Sequence, residues 1–197
     1  MSSHCANDDI LGQILSRRSV GPRHLTGPDL SPEELAVLAS AAAAAPDHGG
    51  LYPLQLVHVP AHQRAALGEV FANAALEADP AADAATLQSA RDRAMAGPCL
   101  IAILAHLTSD HPVVPVEEQW ISVGAGLQNL LLAALSLDLH AKPLSGKRMR
   151  SRALRDAFHL SADRHLAAFV VLGRHNGPRT ERPRRNASEI LQTWCPD

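Results

Sequence analysis

The stretch VEEQWISVGAGLQNLLLAALSLDL, residues 116–139, decides how the rest of the chain must be arranged. It is apolar over a length that could cross a bilayer. Yet Glu117 and Glu118 stand at its start, and Gln128, Asn129 and Asp138 lie within it. Such groups are costly in hydrocarbon, so the run reads as a helix in a protein core. A helix that is apolar on most sides needs apolar partners on more than one of them. Gly124 and Gly126 let another backbone come close, and they do not read as a phosphate loop.

Partners of that kind lie on both sides. CLIAILA (99–105) follows Gly97 and Pro98 and is a continuous apolar run of strand length, rich in β-branched residues. AAFVVLG (167–173) and LQLVHV (54–59) read as further strands, and LHAKP (139–143) as a fourth. A helix is expected from Ser31, which caps Pro32 at the first helical position, with Glu34 completing a capping box. It stops at PDHGG, 46–50. Residues 8–17, 61–77 and 83–96 also read as helices, and 145–160 as a loop leading into a basic helix. Strands scattered among helices, with few hairpin signals, predict an α+β fold with a sheet flanked by helices. No repeat or linker divides the chain, so residues 1–197 are expected to form one domain.

Composition narrows the function. The chain has 197 residues, 46% hydrophobic, with a formal net charge of −2, which gives no nucleic-acid signature. Aromatics are only 3%, so the core must be built from Leu, Val, Ile and Ala. Cys5, Cys99 and Cys195 are odd in number and form no CxxC, which argues against a disulfide framework or structural zinc and predicts a reducing, cytoplasmic setting. The start, MSSHCANDDI, lacks the basic and apolar regions of a signal peptide. P-loop, GxGxxG, HExxH and GxSxG signatures are absent. His58 and His62 are separated by Pro60 and share no helical face, so no metal centre is expected.

One short stretch stands out, ILSRRSVGPRHL, 14–25. Arg17, Arg18 and Ser19 close a helical segment just before Gly21 and Pro22 break it. Two readings are open. The guanidiniums can sit against the negative end of a helix dipole. Alternatively, their planar forks can grip an anion, with the serine hydroxyl adding a bond.

The order of these stretches resembles the nitroreductase family of FMN-dependent oxidoreductases, especially its compact bacterial NAD(P)H nitroreductases. Arg-Arg-Ser comes first, then a capped helix ending in APDH (45–48), a proline and a strand. GPCLIAIL (97–104), VPVEEQWISVGAGLQNLLLAA (114–134), Ser145-Gly146 and a strand ending at Gly173 follow. The resemblance runs from about residue 11 to residue 173.

This resemblance implies an intertwined homodimer with FMN at the interface, residues 116–138 at the dimer core, and a tail, 176–197, that embraces the partner. It implies that Arg17, Arg18 and Ser19 contact the FMN phosphate, ribityl chain or pyrimidine edge. It implies that His48 reaches the other subunit's flavin, and that Pro143, Leu144 and Ser145 lie along the flavin. Arg184 and Arg185 correspond either to the phosphate contacts of larger relatives or to a solvated tail.

The implied chemistry is transfer from NAD(P)H through the flavin to a nitroaromatic, a quinone or a similar small acceptor, by a ping-pong mechanism. It needs no protein acid, base or nucleophile. Two departures remove contacts: Ala44 stands where compact relatives carry a basic flavin contact, and Pro53-Leu54 replaces a proline–tryptophan pair. With those losses, two other functions stay open. One is an FMN store with little turnover. The other is a flavin-dependent biosynthetic dehydrogenase or flavin-fragmenting enzyme on the same fold.

Overall fold

The computed structural model describes residues 4–177 and 183–196. Residues 178–182 and 197, part of the expected tail, lie outside the described residues. The strand reading holds, with shifted ends: β1 (Leu54–His58), β2 (Cys99–His106), β3 (His140–Leu144) and β4 (Arg164–Gly173). They form one antiparallel sheet in the order β1-β2-β4-β3. β4 starts at Arg164 rather than Ala167. Its first residues pair with Leu104–His106 beyond a bulge, a long-range register that a polar local sequence does not announce.

Every residue of β2 except His106 is buried, on both faces. Each face therefore needs a helical layer. On one face Ile101, Ile103, Val170 and Leu172 pack under α2 (Pro32–Ala43) and α5 (Val116–Ser136). On the other, Leu100, Leu104, Phe169 and Val171 pack under α3 (Arg64–Ala78), α4 (Ala84–Ala94) and α6 (Arg152–Ala157). The chain's 3 phenylalanines all meet in this second layer. Phe71 and Phe158 stand edge-on to Phe169, at centroid separations of 5.3 and 5.8 Å. α1 (His4–Ser16) runs beside α5.

The expected capping box on α2 is formed: Glu34 N–H donates to Ser31 Oγ, and Ser31 N–H donates to Glu34 Oε2. α3 begins at Arg64, three residues later than expected, because 61–63 form a tight 3₁₀ turn after Pro60. α5 ends at Ser136, and Asp138 turns the chain into β3 with a positive φ of 55°.

The two glycines of α5 have different surroundings. A Cβ on Gly126 would stand 2.4 Å from Leu54 Cδ2 and 3.0 Å from the Ala42 carbonyl oxygen. This is the close approach that lets α5 press on α2 and β1. A Cβ on Gly124 would meet nothing within 4 Å. Gly126→Ala is expected to cost about 1–3 kcal/mol by overpacking. Gly124→Ala is expected to be neutral, or stabilising by up to about 1 kcal/mol through helix propensity. Paired urea unfolding curves compare the two.

Candidate functional site

Arg17, Arg18 and Ser19 follow the last turn of α1, and the chain then runs along the outer edge of β3. Val20 N–H donates to the Ala141 carbonyl at 3.3 Å. Pro22 lines the same cavity as Leu144 and Ser145, about 450 Å³ in volume. The structure therefore brings the Arg-Arg-Ser segment and the Pro143–Ser145 segment together along one sheet edge.

The two arginines divide the readings left open by the sequence. Arg18 Nη1 donates to the Leu15 carbonyl at 2.7 Å, so this guanidinium caps the end of α1. Arg17 is half-buried and its own carbonyl accepts from Arg184 Nη2 at 2.9 Å. Burial and the positive charges of Arg184 and Arg18 hold its pKa below the ordinary arginine value. Ser19 is exposed and shares a cavity of about 290 Å³ with Arg18, His24, His140 and His175.

More positive charge stands at the far end of β3. Lys147, Arg148 and Arg150 follow Gly146 in a 3₁₀ turn. Arg148 lies over the Phe71 ring, 5.2 Å from its centroid, and its Nε is buried without a hydrogen-bond partner. Burial and nearby Arg93 lower its pKa. Among the described residues, none of Arg17, Arg18, Lys147, Arg148 and Arg150 has a carboxylate partner. Clustered cations with no counter-charge favour an anionic ligand.

Beside this turn, where β3 ends and β4 continues unpaired on that side, opens a cavity of about 850 Å³. Ser145, Gly146 and Lys147 form one rim, and Trp120, His165 and Leu166 another. Trp120 and His165 lie 5.9 Å apart, centroid to centroid. Sequence reasoning missed Trp120, Arg148 and His165. Trp120 sits in the apolar helix, where it looked like core, and its exposure of 37% is the only sign otherwise.

His48 is not part of this assembly within one chain. It lies in the loop before β1, at the opposite edge of the sheet. Its Nδ1 lies 2.7 Å from Glu118 Oε2, in the first turn of α5. Gly49, Gly50 and Tyr52 all have positive φ, and Tyr52 N–H donates to Asp47 Oδ2 at 2.7 Å. An apolar cavity of about 320 Å³ lies alongside, lined by Ala42, Pro46, Tyr52, Leu54 and Ser122. Ala44, at the end of α2, is exposed. Leu54 is half-buried, packing against Gly126 on one side and lining this cavity on the other.

Among the described residues, the buried Cys99 is not poised as a nucleophile. Burial, together with Asp29, pushes the Cys99 thiol up to about 12. The arrangement offers an anionic ligand cations that have no carboxylate partners, beside open cavities.

A sequence profile described as the Nitroreductase family matches residues 14–174. Over 165 residues the chain is 30% identical to a Haemophilus influenzae protein provisionally named an NAD(P)H nitroreductase, covering 84% of this chain and 88% of that one. The nitroreductase-like family protein from Bacillus cereus superposes with a TM-score of 0.81 at 20% identity, over 93% of this chain and 95% of that one. A variant of the FMN and NADPH-dependent nitroreductase NfnB from Sphigopyxis sp. strain HMH gives 0.73 at 20% identity, over 93% and 98%. At such identities the structural likeness concerns the fold alone.

The cationic edge makes a direct prediction. Saturating inorganic phosphate should raise the unfolding midpoint of the wild-type chain by a few degrees. Arg17→Ala should lose most of that rise, whereas Arg23→Ala should keep it. Scanning fluorimetry reads both.

Proposed function

Because this chain belongs to the nitroreductase family, we propose that it is an FMN-dependent oxidoreductase. It would use NAD(P)H to reduce a nitroaromatic, a quinone or a similar small acceptor. The observation that carries this reading is the row of cations without carboxylates along β3, beside the Pro143–Ser145 segment.

The residues present fit FMN. The orphaned Arg148 Nε and the uncompensated Arg17 both call for an anion. Arg17 and Ser19, with Arg18 and Arg184 adding charge, would hold the phosphate and ribityl chain. Residues 143–145 would lie along the ring, and the 850 Å³ cavity walled by Trp120 and His165 would admit the reactants. When bound, FMN would supply the redox chemistry between NAD(P)H and the acceptor. The chain's own part is electrostatic. Its guanidiniums would neutralise the phosphate and favour added negative charge at the ring. One cavity serving donor and acceptor in turn gives ping-pong kinetics.

His48 completes the site in a homodimer, reaching the partner's flavin from the opposite sheet edge. Support comes from exposed apolar side chains on the elements that would meet a second copy. Ile10, Leu11 and Leu15 on α1 are 58%, 56% and 55% exposed, and Ile121 on α5 is 70% exposed. Ile190, Leu191 and Trp194 in the tail are 70–83% exposed. A single chain leaves this surface in water, and a partner would cover it.

Full-length protein mixed with FMN and passed through gel filtration should retain close to one flavin per chain, and NAD(P)H should bleach it. A colourless protein would overturn the reading. A flavin that stays oxidised would identify a store instead. Arg17→Ala should weaken FMN binding by about 10- to 100-fold, the worth of a charged hydrogen bond. Light scattering should give twice the 21.0 kDa chain mass, and Ile121→Glu should shift it toward the monomer.

A further inference from the structure

Away from the flavin edge, three side chains from distant parts of the sequence converge. Asp29 lies in the loop before α2, His58 ends β1, and Cys99 begins β2. One donor atom from each lies within 4.8 Å of the other two. His58 Nε2 is 3.1 Å from both Asp29 carboxylate oxygens. We propose that Asp29, His58 and Cys99 form a three-ligand zinc site that ties the loop ahead of α2 to the first two strands.

The donor set selects the metal. A thiolate, an imidazole and a carboxylate suit a borderline-soft cation such as Zn²⁺, whereas Mg²⁺ and Ca²⁺ prefer oxygen alone. Zinc bonds of roughly 2.0–2.3 Å place neighbouring tetrahedral ligands roughly 3.3–3.8 Å apart. The imidazole–carboxylate spacing is already near that value, so small side-chain adjustments admit the ion.

The surroundings support the same reading. Cys99 is fully buried, while the His58 and Asp29 side chains keep 27% and 25% of their exposure, so an ion has a path in. Three protein ligands would leave the fourth position open on that side, where a water would bind. Leu30 N–H donates to Asp29 Oδ1 at 2.9 Å and orients the carboxylate, as a supporting shell should. The neighbouring cation, Arg64, is buried, and its donors are committed to the carbonyls of Val59, Gly97 and Pro98. Zinc would displace the thiol proton to solvent. One carboxylate and one thiolate would then neutralise the ion itself, leaving the site with the single positive charge of Arg64, and no oxidant or reductant is required. Cys99 pairs with Leu172 and His140 with Gly173, so the cluster sits at the end of the sheet opposite Leu144 and the large cavity. Its role is to hold the fold, and it stands independently of the flavin reading.

Full-length protein stripped with chelator, reloaded with zinc and passed through gel filtration should retain one zinc per chain by elemental analysis. Its unfolding midpoint should rise on loading. With Co²⁺ as probe, a thiolate-to-cobalt charge-transfer band should appear in the near ultraviolet. Cys99→Ala should lose the band and the retained zinc. Asp29→Asn, which keeps the shape of the side chain, should lose retained zinc even where Cys99→Ala fails to fold. No retained zinc in the wild type would overturn the site and leave a hydrogen-bonded triad. So would zinc and a thiolate band that survive Cys99→Ala.

Discussion

The burial of β2 on both faces is the constraint on which the rest depends. A strand whose side chains are apolar above and below cannot stand at a surface, so both faces must be roofed by helices. Burying each large side chain is worth about 1.5–3 kcal/mol, far more than any surface contact. With β2 and β4 in the centre, β1 and β3 become the edges. The helical layers cover the faces, so room for a ligand is left only along the edges and at the strand ends. That is where the cations, the Pro143–Ser145 segment and His48 are found. The second apolar layer reaches the site through one contact. Phe169 packs on Phe71, and Phe71 carries Arg148 on its ring, so the turn after Gly146 is fixed by the core beneath it.

Much of this was legible locally. Ser31, Pro32 and Glu34 announced the start of α2 because a capping box is a matter of four consecutive residues. CLIAILA announced a buried strand because no other short element is apolar on every side. The start of β4 was hidden, since Arg164 and His165 look like loop until β2 supplies their partners. Gly124 and Gly126 looked alike in sequence. Only the packing of α5 on Leu54 and Ala42 shows that the second is obligatory and the first is open.

The candidate site was legible in part for the same reason. Arg-Arg-Ser could be seen, but not which arginine does what. Local geometry decides that: Arg18 reaches back to the Leu15 carbonyl of α1, whereas Arg17 makes no such cap and offers only its backbone carbonyl to Arg184. The Asp29–His58–Cys99 cluster could not be seen at all. Its members sit far apart in the chain, and nothing in their spacing imitates a metal motif. The antiparallel pairing of β1 with β2 brings two of them together, and the loop before α2 brings the third.

The separation of His48 from the arginine edge carries the last step. In one chain, a sheet four strands wide stands between them, about 14 Å at the usual strand spacing. No side chain crosses that distance through a packed core. If both serve one flavin, they must come from different copies. A twofold axis would then place each copy's His48 loop against the other's β3 edge, creating two equivalent sites at once. The same operation would bury the exposed apolar residues of α1, α5 and the tail. On this view the uncompensated positive charge is offset by a ligand that neither copy binds fully alone.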